Sequence, residues 1–207
     1  MTALPRLECT RARLTAVNAD ISAAHWLEIA PVFLSENITG AQPQQPTWFK
    51  AAWDERELRV LFHATDTRAW ATHTAHDAPL YEEEVVEIFL DPVGDLESYF
   101  EIEVNPLNAV CDLVLRRSRS GWRKDFAWHC EGLQTAVVKN ERAWTAEISI
   151  PFASLGPDLP IVGKPWRANF FRIDRPENSP WELSAWSPTW LPLFHVQEKF
   201  GLLEFVA

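Results

Sequence analysis

Methionine, cysteine and tyrosine are scarce in this chain: its 207 residues include one Met, three Cys and two Tyr. The single Met is Met1, so no thioether fills the core and no internal Met can serve as an axial ligand. Cys9, Cys111 and Cys130 form no CxxC pair and no zinc spacing. Their odd number fits a reducing compartment, or one disulfide with a free thiol. Positive charge is also short, with 19 Lys and Arg against 29 Asp and Glu and a net charge of -10. That balance argues against a nucleic-acid backbone or an anionic membrane surface as partner. The nearest approach to a basic block, Arg116, Arg117, Arg119, Arg123 and Lys124, reads as a solvated loop. No window approaches a membrane span, and the opening MTALPRLECTRARLTAVNAD has no apolar run of signal-peptide length. As it stands the chain reads as cytoplasmic; a secreted or periplasmic location would require a leader removed beforehand. Helical periodicity is scarce, and neither an internal repeat nor a linker divides residues 1–207, so a single domain is expected.

Fifteen Pro and seven Gly punctuate a series of short segments. Strands are predicted at Trp48–Trp53, Glu57–Thr65, Glu84–Leu90, Ser98–Asn105, Ala109–Arg116, Leu133–Lys139, Ala143–Ile150, Trp166–Ile173 and Gly201–Val206. The clearest is Glu57–Thr65, where Leu58, Val60, Phe62 and Ala64 share one face. Trp144, Ala146, Ile148 and Ile150 repeat the pattern. A short turn is expected at Phe152–Leu155, and loops at Asn37–Pro46, Arg68–Pro79, Arg117–Asp125 and Pro176–Pro192. Many short strands with Pro/Gly turns predict an all-β fold, a β-sandwich of jelly-roll type with antiparallel sheets and long loops.

The stretch DAPLYEEEVVEIFLDPVGDLESYFEIEVN, Asp77 to Asn105, carries the chemistry. Val86, Ile88 and Leu90 point one way and Glu87 and Asp91 the other, because successive strand side chains face opposite sides. In the next strand Phe100, Ile102 and Val104 oppose Tyr99, Glu101, Glu103 and Asn105. One face is therefore expected in the core, and the other is expected to present rings, acids and an amide. That combination suits a neutral polyhydroxyl ligand, a saccharide, and eleven Trp supply further stacking surface. Three acids on one face repel and need compensation from Arg172, a Lys or a bound cation.

The order of these segments resembles the family 9 carbohydrate-binding modules and their stand-alone relatives. TWFKAAWDERELRVLFHA leading to Asp66 is similar to the family's early strand pair, LYEEEVVEIFLDP to its acidic strand, and YFEIEVNPLNAVCD to the hairpin that follows. WTAEISIPFASLG, WRANFFRID, AWSPT and KFGLLEF complete the order from about Trp26 to Phe205. The resemblance implies a β-sandwich that binds sugars without catalysis, at chain ends of the xylan or cellulose type, with two rings clamping the terminal sugar. It places the first clamp at Tyr81, where the family's best-known version has Trp. The hydroxyl-binding acid falls at Glu87. Glu103 and Asn105 occupy the positions of an Arg and an Asn. The second clamp falls at Trp190 with Trp186 as fallback, and Arg172 would tune selectivity. Calcium is implied as a structural ion, with Asp66, Asp77, Asp91 and Asp95 as oxygen donors.

His73 and His76, in HTAH, have a spacing that can hold zinc, but two ligands are too few. Three other functions compete with sugar binding. A glycoside hydrolase would need paired carboxylates across a cleft, for which Glu87 and Glu103 are the candidates. A haem-binding sandwich would have to use two of His63, His129 and His195. A sandwich whose groove has decayed would serve a protein partner instead. The expected partner is a saccharide; the sequence does not fix an oligomeric state.

Overall fold

A computed structural model describes residues 3–157, 159–176 and 180–207. Its fourteen strands run β1 (Arg6–Arg11), β2 (Val32–Phe33), β3 (Ser35–Glu36), β4 (Thr47–Trp53), β5 (Glu57–Thr65), β6 (Val85–Asp91) and β7 (Ser98–Val104). They continue as β8 (Val110–Ser118), β9 (Gly121–Asp125), β10 (Gln134–Lys139), β11 (Ala143–Pro151), β12 (Trp166–Asp174), β13 (Glu182–Ala185) and β14 (Gly201–Val206). All nine predicted strands are present within a residue or two at each end. The turn predicted after Pro151 is a 3-10 turn, Phe152–Ser154.

The strands are joined into one curled sheet, ordered β10-β11-β5-β4-β1-β14-β12-β6-β7-β8-β9. Most neighbours are antiparallel, but β1 runs parallel to both β14 and β4 and links the two halves. The curl brings the inner faces together around one core. Phe49 of β4 stacks on Phe170 of β12 with ring centres 4.1 Å apart, and Phe62 and Trp186 close around them. Trp186, the fallback clamp, is thus a core ring. It lies so tightly on Gly201 that a Cβ there would collide with the indole. The three cysteines are free and buried, and burial pushes the thiols of Cys9, Cys111 and Cys130 up, the last to about 12.

Two expectations change. The segment Arg117–Asp125 is not a loop; it holds β9, which pairs with β8 as a hairpin. Part of the loop expected at Pro176–Pro192, residues 177–179, lies outside the described residues, and beyond them the segment holds β13.

The acid-bearing face of β6 and β7 is not an open surface. Val85, Phe89, Tyr99, Leu113, Leu115 and Phe171 form a second core there, roofed by Leu80, Phe194 and Phe200. All seven residues of β6 are buried. The loops before β6 and before β14 therefore fold back over the sheet and confine access to a cleft between them.

Candidate functional site

The cleft measures about 340 Å³ and is bordered by Tyr81 and Trp181, with Glu87, Glu101, Lys124, Arg175 and His195 among its polar groups. A second depression of about 560 Å³ adjoins it, sharing Arg175 and Trp181 and adding Trp70. Tyr81 is 40% exposed and Trp181 60%. Rings of that size are costly to leave in water, and here two flank one opening. Each is braced by a cation, since Lys124 lies 4.7 Å from the centre of the Tyr81 ring and Arg175 stacks on Trp181. Arg175 also donates to the Tyr81 carbonyl, and the Trp70 indole N–H donates to the Arg175 carbonyl at 2.7 Å. These bonds fix the two rings relative to each other before any ligand arrives.

The floor comes from β6 and β7. Glu87 and Glu103 are paired residues on the two strands, and Glu101, two residues before Glu103, shares its face. All three are buried. Burial and the Glu101 charge push the Glu87 carboxyl well above the usual range, while Lys124 and Arg175 oppose the shift. Glu103 is raised by burial and then by Glu87 and Glu101, and neither of its oxygens has a hydrogen-bond partner. A proton held on Glu103 converts it into a donor to Glu101, whose Oε2 is also without a partner. His195 lies 3.7 Å from Glu101, and its Nδ1 is 2.7 Å from the Tyr99 hydroxyl. Burial pulls the imidazole below its ordinary value. With Tyr99 donating to Nδ1, the neutral ring carries its proton on Nε2 and offers a donor to the cleft. The floor thus presents acceptors, protonated acids and N–H donors together, which matches hydroxyl groups that both donate and accept.

The pH dependence of stability should show the proton on Glu103. A folded pKa above the unfolded one means that the folded state binds more protons, so stability falls as pH rises above about 4.3 toward the raised value. The cost approaches about 1.4 kcal/mol per pH unit across that window. Glu103→Gln keeps the shape without the titration. It is expected to stabilise the fold by about 2 kcal/mol at pH 8 and by about nothing at pH 4.5 in urea unfolding. The same gain at both pH values would rule out a buried proton.

The other residues named from the sequence lie elsewhere. Arg172 pairs in register with Val86, so it points to the inner face, opposite the three acids. There it bonds Asp66 at 2.7 Å and lies 3.5 Å from Asp174 and 3.9 Å from Glu84. Of the expected sources of compensation, Arg172, a Lys or a cation, the acids face a Lys, Lys124, together with Arg175. Asn105 is fully buried. Its oxygen accepts from the Leu107 and Ala109 N–H groups and its NH₂ donates to the His73 carbonyl, so it shapes its own turn. Trp190 is exposed but does not border the cleft; its ring lies on Gly40, where a Cβ would come within 2.8 Å.

Of the four calcium candidates, Asp66 joins Glu84 and Asp174 in a buried group of converging carboxylates. Glu84 Oε2 and Asp174 Oδ1 have no hydrogen-bond partner there. Burial, then Asp66, pushes Glu84 up to about 9. With Arg172 the four groups would carry a net -2 when fully ionised, a donor set that fits a divalent hard cation. Asp77 belongs to a different group, with His76, Asp112 and His129. Asp91 accepts from the Gly94 N–H and from Gln197, and exposed Asp95 accepts from the Glu97 N–H; both oxygens brace the β6–β7 turn.

Sequence reasoning passed over Trp181, Arg175, Lys124 and His195. A Trp directly after Pro180, with Pro176 close before it, is a signal for the first. In the sequence His195 stands out only as a haem-ligand candidate, and Lys124 only as part of a charged stretch.

The chain is an all-β domain, a curled sheet with a ring-flanked, acid-floored cleft. The profile of the carbohydrate family 9 binding domain-like family matches residues 17–170, and the chain belongs to that family. A Bacteroides uniformis crystal structure, named as a candidate carbohydrate-binding protein, shares the fold with a TM-score of 0.78 and 19% identity, over 99% of this chain and 100% of that one. A family 9 module from Caldicellulosiruptor kristjanssonii in complex with cellotriose aligns at TM-score 0.72 and 18% identity, over 97% of this chain and 93% of that one. The glucose complex of such a module from the same organism also aligns at 0.72 and 18%, over 98% and 96%. No curated protein matches the chain at a significant level.

Proposed function

We propose that this protein binds the end of a gluco-configured saccharide, of the cellulose or xylan type, in the Tyr81–Trp181 cleft and carries out no chemistry on it. The observation that carries the reading is the pair of exposed rings braced by Lys124 and Arg175 above Glu87 and Glu101. A pyranose presents an apolar C–H face to a ring and hydroxyls at its rim, and this cleft offers the complement of both. The ligands of the Caldicellulosiruptor neighbours, cellotriose and glucose, support the choice of sugar. The family's binding-module character favours recognition over hydrolysis. Trp181 takes the second-clamp role in this reading, and Glu87 remains the hydroxyl-binding acid. A calcium ion between Asp66, Glu84 and Asp174 would stiffen the ends of β5, β6 and β12 next to the loop of Arg68 and Trp70.

Isothermal titration with glucose, cellotriose and xylotriose tests the reading. Saturable binding is expected for at least one, with Tyr81→Ala weakening it about tenfold, equal to about 1.4 kcal/mol. No heat from any of the three, in folded protein with calcium supplied, would overturn it. Release of new reducing ends during the titration would overturn the absence of catalysis.

A further inference from the structure

A second constellation lies away from the sugar cleft. His76 and Asp77 lie within the long segment between β5 and β6, Asp112 sits in β8, and His129 lies between β9 and β10. Each contributes one ligand atom to a group in which all such atoms lie within 4.8 Å of one another. His76 Nε2 is 2.8 Å from Asp112 Oδ1 and 3.4 Å from Asp77 Oδ1, and His129 Nδ1 is 3.6 Å from Asp112 Oδ1. The two imidazole rings are 5.4 Å apart. We propose that His76, Asp77, Asp112 and His129 bind a divalent transition-metal cation of the zinc class.

Asp112 is the strongest reason. The residue is 1% exposed. Its Oδ2 accepts the Cys130 N–H, but its Oδ1, aimed between the two histidines, has no hydrogen-bond partner. The close approach of His76 Nε2 therefore lacks hydrogen-bond geometry, although the atoms are near enough for one. A buried carboxylate oxygen without a partner is costly, and a cation between the rings would remove that cost. Spacing agrees as well. Four ligands about 2.0–2.1 Å from a tetrahedral zinc stand roughly 3.4 Å apart, and the three separations above bracket that value. Backbone bonds hold the site from two sides: the Asp77 N–H donates to the Val110 carbonyl at 3.0 Å, and the Asp112 N–H donates to Asp77 Oδ1 at 3.3 Å.

The donor set selects the metal. Two imidazoles and two carboxylates suit zinc and its first-row neighbours, whereas calcium wants six to eight oxygens. Cys130 borders the same hollow, of about 210 Å³, but its sulfur does not join the converging group of ligand atoms and it is not a ligand in this proposal. The bound ion would staple three segments: the end of the Arg68–Pro79 loop, β8, and the connection that carries His129. Trp70 of that loop borders the second depression, so the metal would also limit the loop's freedom beside the sugar site.

The test is titration of tag-free, chelator-stripped protein with zinc chloride at pH 7.5, followed by cobalt substitution. One zinc per chain is expected, with cobalt giving the visible absorption bands of a low-coordinate nitrogen and oxygen site. His76→Ala and His129→Ala are each expected to weaken zinc at least tenfold. Both side chains are half exposed, at 50% and 58%, so the variants should fold, which circular dichroism checks. Millimolar calcium should not compete. Three results would each overturn the proposal: no saturable zinc binding, unchanged affinity in the His76→Ala/His129→Ala variant, or displacement of zinc by calcium. None of these readouts depends on sugar binding.

Discussion

Trp181→Ala is expected to weaken glucose and cellotriose binding about thirtyfold while barely changing the stability of the fold. The indole is 60% exposed and stacks on Arg175 at the rim of the cleft, so its removal opens no cavity in either core. A sugar face laid on the ring would cover roughly 80 Å² of apolar surface, about 2 kcal/mol, which corresponds to the thirtyfold change. Arg175 stays tied to the Tyr81 carbonyl when the indole is gone, so the loss of area is the main effect. Trp190→Ala is the matched control. Its ring fills the space over Gly40, and Ala would leave that space empty while keeping the backbone N–H that donates to the Asn37 carbonyl at 2.9 Å, so that variant should lose stability through lost packing while keeping sugar affinity within about twofold. Calorimetry and thermal unfolding on both variants separate the roles. If Trp190→Ala abolished binding and Trp181→Ala did not, the second clamp would return to the Ser-Pro turn.

The strands were legible because their apolar residues alternate, as in Leu58, Val60, Phe62 and Ala64. Where alternation failed, physical reasons are visible. β1, RLECTR, buries only Cys9, so it carries too little apolar signal, although it is the parallel link between the two halves. β9 is largely exposed and reads as a charged loop. β12 is buried on both faces, with Phe170 inside the main core and Phe171 in the second. Two adjacent aromatics gave no clue as to which face Arg172 takes. Asn105 had a readable alternative, because Asn at the start of a turn bonds the backbone two residues on, here Leu107. Tyr81 and Glu87 were legible from the acidic strand and its parity. Their partners Lys124, Arg175, Trp181 and His195 come from three distant segments, and only the curl of the sheet and the folded-back loops bring them together.

Arg172→Ala is expected to cost about 4 kcal/mol at pH 7.5, the largest stability effect of the substitutions considered. The guanidinium is 1% exposed. It donates to the Thr65 carbonyl at 3.0 Å and the Thr47 hydroxyl at 3.2 Å as well as to Asp66. It therefore ties β12 to β4 and to the end of β5, across the two halves of the core. Its loss leaves Asp66, Glu84 and Asp174 converging in a buried space with no positive charge among them. The penalty must depend on pH. Burial already raises Glu84 and Asp174, and the Arg172 charge is what pulls both back down. Removing it raises Asp174 further, so the folded variant holds a proton there that its unfolded chain releases above about pH 4, and its deficit grows with pH; Glu84, already pushed up to about 9, keeps its proton in both proteins and adds nothing to the difference. At pH 5 the cost should shrink to about 2 kcal/mol, most of it lost hydrogen bonds. Urea unfolding of both proteins at pH 5 and 7.5, with calcium and with chelator, measures this. A divalent ion held by the three carboxylates would partly replace the guanidinium and narrow the gap at pH 7.5. A cost below 1 kcal/mol, or one independent of pH, would mean that Arg172 is not what neutralises this group.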